Sequence, residues 1–164
     1  MRVTLERATN VVVILSCLFM VGTVLYRGEG PTKRPPAYPA GSRIQNSAGL
    51  GLKSAARTLI LATSSSCRYC VASLPFYRKL AAAARRAGTR IVAVTPEPPP
   101  INRAFLETNG VPVDASLSAQ QSGVVVAQTP LLILVRSDGS IIDSRVGALD
   151  SANEARVLRM ASGG

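Results

Sequence analysis

The sequence contains no histidine and only three cysteines. The lack of histidine excludes Ser-His and Cys-His catalysis, His-ligated metal sites and histidine proton shuttles. A structural zinc site has four ligands, so here it would need carboxylates or a second chain to complete it. One of the three cysteines, Cys17, is isolated in an apolar segment far from Cys67 and Cys70, which weakens a zinc site further. We therefore expect no bound metal.

Acidic and aromatic residues are also few. The chain has 19 Lys and Arg against 9 Asp and Glu, a net charge of +10, which is typical of proteins that bind nucleic acid or an anionic membrane surface. However, the basic residues are scattered, with no run denser than Arg85-Arg86, and only four Tyr and three Phe could stack on bases. Because a clustered basic footprint is missing, the sequence favours a solvated basic surface over nucleic-acid binding.

Cys67 and Cys70 lie where an apolar run ends and a helical pattern begins. The run over residues 58–62 is typical of a buried strand, and apolar residues recur at helical spacing after Cys70. The Cys67 sulfur is thus expected at a helix N-terminus, where free amides and the helix dipole favour a thiolate nucleophile of lowered pKa. Cys70, one turn further on, could then resolve a mixed disulfide. Arg68 adds a positive charge that favours the thiolate.

The N-terminal region contains a long uncharged stretch, residues 11–26. At about 1.5 Å per residue it spans about 24 Å, or about 28 Å if it begins at residue 8. The hydrocarbon core of a bilayer is about 30 Å thick. We therefore predict one membrane-spanning helix over about residues 8–26, within an N-terminal anchor of residues 1–27.

Two cleaved alternatives fit the N-terminal region less well. Small residues at Gly28 and Gly30 would direct cleavage of a signal peptide so that Pro31 becomes the first mature residue, which is a poor site. A lipoprotein signal ending at Cys17 would have too short an apolar core. The sequence therefore favours an uncleaved anchor.

Residues 28–40 are rich in proline and glycine, which is typical of a partly extended spacer. We assign residues 41–164 to a single following domain. The positive residues on the two sides of the anchor do not settle its orientation. Disulfide exchange is most useful in an oxidising compartment, so we expect the domain on the extracytoplasmic, periplasmic side of the membrane.

Strands and helices alternate through this domain. The helix after Cys70 should run to about Ala87 and kink at Pro75. Residues 40–56 show a weak pattern that is compatible with a β-hairpin. The further elements that we predict are a strand at 90–95 parallel to the first, a helix at 101–108, a short strand near Val113, a helical turn at 118–122, an antiparallel strand pair at 131–135 and 141–146, and a last helix from a capping box of Ser151 and Glu154 to about Met160.

The element order β-α-β-α-β-β-α, with Cys-x-x-Cys at the first helix, resembles the thioredoxin fold over about residues 54–162. Cys67 and Cys70 match its redox pair, Pro75 matches the kink of its active helix, and Pro130 after Thr129 matches its cis-proline. With an anchor in front, the chain resembles membrane-tethered thioredoxins of the TlpA/ResA type. The resemblance implies an α/β fold with a central mixed sheet flanked by helices.

The resemblance also implies a thiol–disulfide oxidoreductase that acts on protein thiols and disulfides. Its redox-active Cys67–Cys70 disulfide would take the place of a cofactor. The backbone of Thr129, beside a cis Pro130, would pair with an extended substrate segment. Because the sequence has no flavin or nicotinamide motif, a reductant of this type would draw electrons from a membrane thiol carrier.

Several positions depart from the thioredoxin pattern. Ser66 replaces the usual tryptophan before the first cysteine, and Arg68-Tyr69 replaces the common Gly-Pro between the cysteines. These three residues should tune the redox potential. Leu61 stands where thioredoxins carry a buried acid, so another group must take the proton of Cys70, and Glu97 is a candidate.

Three other interpretations stay open. A peroxiredoxin-like peroxidase would use Ser64, three residues before Cys67, although Ile60 stands where those enzymes place proline. A non-enzymatic adaptor could hold Cu(I) on two thiolates. The two cysteines could also form a purely structural disulfide, but so short a loop gains little from a cross-link.

Overall fold

The computed structural model describes residues 13–20, 38–45 and 47–162. The chain divides into two units, Met1–Arg34 and Pro35–Gly164, and each is described by itself. In the first unit, residues 13–20 are helical with exposed side chains. None of the described helices combines the length and the apolar composition that a membrane span needs. Most of the predicted span over residues 8–26, and most of the predicted linker over residues 28–40, lie outside the described residues.

The second unit is built on a five-stranded mixed sheet with the strand order β3-β2-β1-β4-β5. Strand β1 pairs in parallel with β2, which pairs in parallel with β3, whereas β1 is antiparallel to β4 and β4 to β5. The predicted central mixed sheet is therefore confirmed. The strands are β1 (Arg57–Ala62), β2 (Arg90–Thr95), β3 (Ala115–Ser118), β4 (Leu131–Arg136) and β5 (Ile141–Val146).

Helices cover both faces of the sheet. They are α1 (Arg68–Ala72), α2 (Leu74–Arg86), α3 (Pro99–Thr108), α4 (Ala119–Ser122) and α5 (Ser151–Ala161), with two 3-10 turns at Ser47–Leu50 and Leu52–Ser54. Successive residues of β1 enter opposite cores, since Leu59 packs with Leu80 and Leu106, whereas Ile60 packs with Leu50 and Ile133. This two-sided burial explains why the central strands are continuous apolar runs rather than alternating ones.

The structure corrects three local predictions. The active helix is interrupted at Ser73, two residues before Pro75, because a proline is best tolerated in the first turn of a new helix. The last helix is capped by Asp150, whose carboxylate accepts a hydrogen bond from the Asn153 amide at 2.8 Å. Ser151 is therefore the first helical residue, and the predicted capping box at Ser151 is wrong.

The segment before β1 is not a hairpin in its described residues. It forms the two 3-10 turns and a single bridge between Arg43 and Ser140. Gly51 separates the two turns with a left-handed φ of 60°. At Gly49 a Cβ atom would lie 2.0 Å from the Gln121 carbonyl oxygen, so this contact with α4 requires glycine. These glycines favour tight turns over extended pairing.

Candidate active site

The site lies where β1 ends and α1 begins. Cys67 is the N-cap of α1, with extended backbone angles of φ −81° and ψ 108°. Its sulfur accepts a hydrogen bond from the Cys70 amide at 3.2 Å. A helix has free amides in its first turn, and here one of them points at the sulfur. Both cysteines are free, Cys67 partly exposed and Cys70 fully buried.

A second loop reaches the same sulfur from the start of β4. The Thr129–Pro130 peptide bond is cis, which is the conformation that the resemblance implies. The Cys67 thiol donates a hydrogen bond to the Thr129 carbonyl oxygen at 3.5 Å. The Pro130 carbonyl accepts one from the Gly147 amide at 2.7 Å, which ties the loop to the end of β5. The structure thus brings together four of the predicted site residues, Cys67, Cys70, Thr129 and Pro130.

The surroundings of Cys67 favour its charged form. Desolvation by burial raises the pKa of this thiol, but hydrogen bonds from the side chains of Cys70 and Thr129, and from the Cys70 and Tyr69 amides, outweigh it. The net result is a pKa below the ordinary value for cysteine. Donors that point at a sulfur stabilise the thiolate, as expected at a helix N-terminus.

Cys70 has the opposite character. Burial raises its pKa to about 12, and the hydrogen bond and the charge of Cys67 act in the same direction, although a backbone hydrogen bond at Ser64 opposes them. Two neighbouring thiols thus have pKa values that their environments push apart. Such a separation assigns different roles to the two groups, one ready to attack and one protonated.

The three predicted tuning residues flank the sulfur on the exposed side. Ser66, Arg68 and Tyr69 are all exposed. The Arg68 guanidinium lies 4.6 Å from the centroid of the Tyr69 ring and donates a hydrogen bond to its hydroxyl at 2.6 Å. The charge of Arg68 is therefore directed at Tyr69, a contact that the sequence did not indicate.

The loop over residues 63–66 is held by polar contacts that the sequence analysis missed. The Glu97 carboxylate accepts hydrogen bonds from Ser65 and Ser64, and the Ser64 hydroxyl lies 3.0 Å from that of Ser66. Glu97 therefore serves this loop, and its contacts do not support the predicted role of taking the proton of Cys70. The Ser64 hydroxyl faces Ser66 and Glu97, which does not favour the peroxidase interpretation. Two features of the sequence could have indicated this contact. Residues 63–66 before Cys67 are all polar, and Glu97 follows β2, the strand parallel to β1.

Leu61, where thioredoxins carry an acid, is 1% exposed and packs in the core with Leu74 and Phe76. The core at this position is therefore apolar.

No protein-family model and no curated protein matches the sequence, but solved structures match the fold. The thioredoxin domain of a thiol-disulfide oxidoreductase from Bacteroides vulgatus aligns with 76% of this chain and 99% of its own, at 15% identity and a TM-score of 0.56. A thiol:disulfide interchange protein of the thioredoxin family from Chlorobium tepidum aligns over 80% and 100%, at 18% identity and a TM-score of 0.53. A thiol-disulfide isomerase from Corynebacterium glutamicum aligns over 80% and 98%, at 12% identity and a TM-score of 0.53.

These matches cover nearly the whole length of each solved chain. Identities of 12–18% show a shared fold. The expected fold class is confirmed for the second unit: this chain has a thioredoxin-like α/β fold, which it shares with proteins named for thiol–disulfide exchange.

Proposed function

We propose that the chain is a membrane-anchored thiol–disulfide oxidoreductase that exchanges disulfides with extracytoplasmic proteins. One observation carries the proposal. The Cys67 sulfur lies at the start of a helix, 3.2 Å from the Cys70 amide and 3.5 Å from the Thr129 carbonyl oxygen. This arrangement joins an activated sulfur, a second sulfur and a backbone group that could pair with a substrate strand.

The exchange needs two chemical steps and no bound cofactor. The Cys67 thiolate attacks one sulfur of a substrate disulfide, a mixed disulfide forms, and the other substrate sulfur leaves as a thiolate that takes up a proton. Cys70 then loses its proton and attacks the Cys67 sulfur. The Cys67–Cys70 disulfide forms and the second substrate thiolate is released, so that two electrons have passed from the protein to the substrate. The reverse sequence oxidises a substrate dithiol.

The two pKa shifts make the order of these steps reasonable. The charge of Cys67 is one cause of the raised pKa of Cys70. Once Cys67 is bound in a mixed disulfide, that charge is gone and Cys70 becomes easier to deprotonate. Capture of a substrate therefore prepares the resolving thiol, with water as the simplest proton acceptor.

The N-terminal half of the proposal rests on the sequence. The uncharged stretch over residues 11–26 supports a single-pass anchor, and the proline-rich residues that follow support a spacer. Extracytoplasmic placement is supported by the greater use of disulfide exchange in an oxidising compartment. The partners would be protein thiols and disulfides and, for a reductant, a membrane thiol electron carrier, with no nucleic acid and no cofactor besides the redox-active disulfide.

Reduction of insulin disulfides by the full-length protein in detergent tests the activity. Cys67→Ser should abolish it, and Cys70→Ser should accumulate mixed disulfides with substrate because the second step is lost. Cys17→Ser is the matched control and should retain the wild-type rate. Full activity in Cys67→Ser would contradict the proposal.

The direction of electron flow follows from the reduction potential of the Cys67–Cys70 pair. A value near thioredoxin's, about −270 mV, would indicate a reductant, and a value near about −120 mV a strong oxidant. Equilibration with glutathione buffers, followed by quantification of free thiols, measures it.

A further inference from the structure

Glu97 lies in a proline-rich segment whose backbone has little conformational freedom. It follows β2 in the run Thr95-Pro96-Glu97-Pro98-Pro99, and each proline fixes its own φ near −65° and restricts the residue before it. The Glu97 amide donates to the hydroxyl of Thr95 at 3.2 Å, and Thr95 is fully buried. The backbone of Glu97 is therefore restricted, and hydrogen bonds hold its carboxylate.

The Glu97 carboxylate faces the loop before Cys67. One carboxylate oxygen accepts from the Ser65 amide at 2.8 Å and from the Asn102 side-chain amide at 3.2 Å. The other accepts from the hydroxyls of Ser65 at 2.8 Å and Ser64 at 3.2 Å. Four donors thus converge on a single side chain, and such charge-assisted hydrogen bonds are stronger than neutral ones.

Asn102 extends the same network to the end of β1. Its side-chain amide donates to the Thr63 carbonyl at 3.0 Å, and its carbonyl oxygen accepts from the Thr63 hydroxyl at 3.2 Å. Both residues are fully buried. A buried network whose members are all bonded has one favoured arrangement, so Thr63, Ser64 and Ser65 are held together.

The held loop leads directly to the nucleophile. The Cys67 amide donates to the Ser64 carbonyl at 3.2 Å, and the Ser66 amide donates to the Ser64 hydroxyl at 3.3 Å. These bonds close the turn that ends at the N-cap of α1. A displacement of Ser64 or Ser65 would therefore move the Cys67 sulfur relative to the Cys70 amide and the Thr129 carbonyl.

We propose that Glu97 is a positioning residue for the exchange reaction, which holds the Ser64–Ser65 loop so that the Cys67 sulfur meets its hydrogen-bond partners. This inference rests on the proposed function and adds a residue that the sulfur itself does not touch. Glu97 remains ionised in this role: burial raises its pKa, but the hydrogen bonds from Ser65, Asn102 and Ser64 bring it below the ordinary value.

A positioning role and a purely electrostatic role predict opposite signs. The negative charge of Glu97, acting through space, disfavours the Cys67 thiolate, so its removal alone would lower the pKa of Cys67. Loss of the loop contacts would instead move the sulfur away from the Cys70 amide, which donates to it, and raise that pKa. Glu97→Ala loses both the charge and the contacts, whereas Glu97→Gln loses the charge and keeps an acceptor for the Ser65 amide.

The test measures the Cys67 pKa in the full-length reduced protein, on a Cys17→Ser background, from the pH dependence of the alkylation rate. Glu97→Ala should raise the pKa by about half a unit or more, which leaves about threefold less thiolate below the pKa. Glu97→Gln should leave the Cys67 pKa at or below that of the parent protein, because this variant loses the charge and keeps the contact with the Ser65 amide. Glu107→Ala is the matched control, because Glu107 is an exposed carboxylate on α3 whose ion pair among the described residues is with Arg103.

An unchanged or lowered Cys67 pKa in Glu97→Ala would overturn the proposal, and so would a Glu97→Gln protein that matches Glu97→Ala. If Glu97→Ala does not fold, Ser65→Ala removes the 2.8 Å hydroxyl contact alone and should raise the Cys67 pKa by a smaller amount. The alkylation readout does not need exchange activity. A protein that shows the pKa shift but does not reduce insulin would overturn the proposed function and leave the role of Glu97 intact.

Discussion

The backbone amide of Cys70 lies 3.2 Å from the sulfur of Cys67, so the resolving residue also stabilises the attacking one. Its own thiol is buried and its pKa is raised to about 12, whereas the pKa of Cys67 is lowered. One residue thus contributes a donor through its backbone and a second sulfur through its side chain. Cys67 and Cys70 are three positions apart, which places the two residues in the first turn at the start of α1.

This relationship predicts selective alkylation. In the reduced protein at about pH 7, iodoacetamide should modify Cys67 first and leave Cys70 unmodified, because the thiolate is the reactive form. Peptide mass spectrometry after timed alkylation of a Cys17→Ser variant measures both sites. Equal rates at Cys67 and Cys70 would be incompatible with the pKa assignment.

The same shifts predict how stability depends on pH. A folded-state pKa of Cys67 below the ordinary value near 9.0 means that the unfolded chain binds the proton more strongly. The stabilisation from this thiolate therefore grows as pH rises through the folded-state pKa, reaches its full value above about pH 9, and is lost as pH falls.

Cys70 acts in the other direction. Its pKa of about 12 lies above the value of 9.0 for an ordinary cysteine, so the unfolded chain releases this proton first and stability falls from about pH 9 upward. Urea unfolding of reduced wild type, Cys67→Ser and Cys70→Ser from about pH 5 to pH 10 gives the pH profile with and without each thiol, and each cysteine also contributes to the pKa shift of the other. A pH-independent difference between wild type and Cys67→Ser would contradict the Cys67 shift.

The cap of α5 gives a direct test of a local assignment. Asp150→Ala should lower the free energy of unfolding by about 1 kcal/mol, because the Asn153 amide loses its acceptor. Ser151→Ala should change it by less than about 0.5 kcal/mol. Urea unfolding of both variants measures the difference, and a larger loss in Ser151→Ala would favour the alternative cap.

The core between α2 and the sheet predicts a larger effect. Leu80 is 1% exposed and packs with Leu59 and Leu106. Leu80→Ala should therefore lower the free energy of unfolding by about 2–5 kcal/mol through lost burial and the cavity that it leaves. Lys79→Ala, at the exposed neighbouring position, is the control and should stay within about 0.5 kcal/mol.

The central strands could be predicted because their signal is physical and local. Residues 59–62 and 91–94 are short apolar runs, and strands buried on both faces need such runs. The redox pair could be predicted for a similar reason, since Cys67 and Cys70 lie a few residues after the first of these apolar runs. The position of Thr129 beside Cys67, by contrast, came from resemblance, because the two residues are 62 positions apart.

The errors arose where two local signals competed or where contacts are distant in sequence. Asp150 and Ser151 are both good N-cap residues, and only the structure shows which one accepts the Asn153 amide. At Ser118, for which no cap was predicted, the structure shows a capping box with Gln121 before a short helical turn. The contacts of Glu97 with Ser64 and Ser65 span more than thirty residues and depend on parallel strands.

The unequal exposure of the two cysteines has a practical consequence for identifying partners. Since Cys70 is enclosed and Cys67 reaches the surface, a partner protein can reach this pair only through the Cys67 sulfur. Every complex trapped with a protein that carries both Cys17→Ser and Cys70→Ser would then have the same linkage on this side. In a mass-spectrometric search for disulfide-linked peptides, one peptide of each linked pair would therefore be known in advance as the one that contains Cys67. The search then needs to identify only the cysteine of the partner protein.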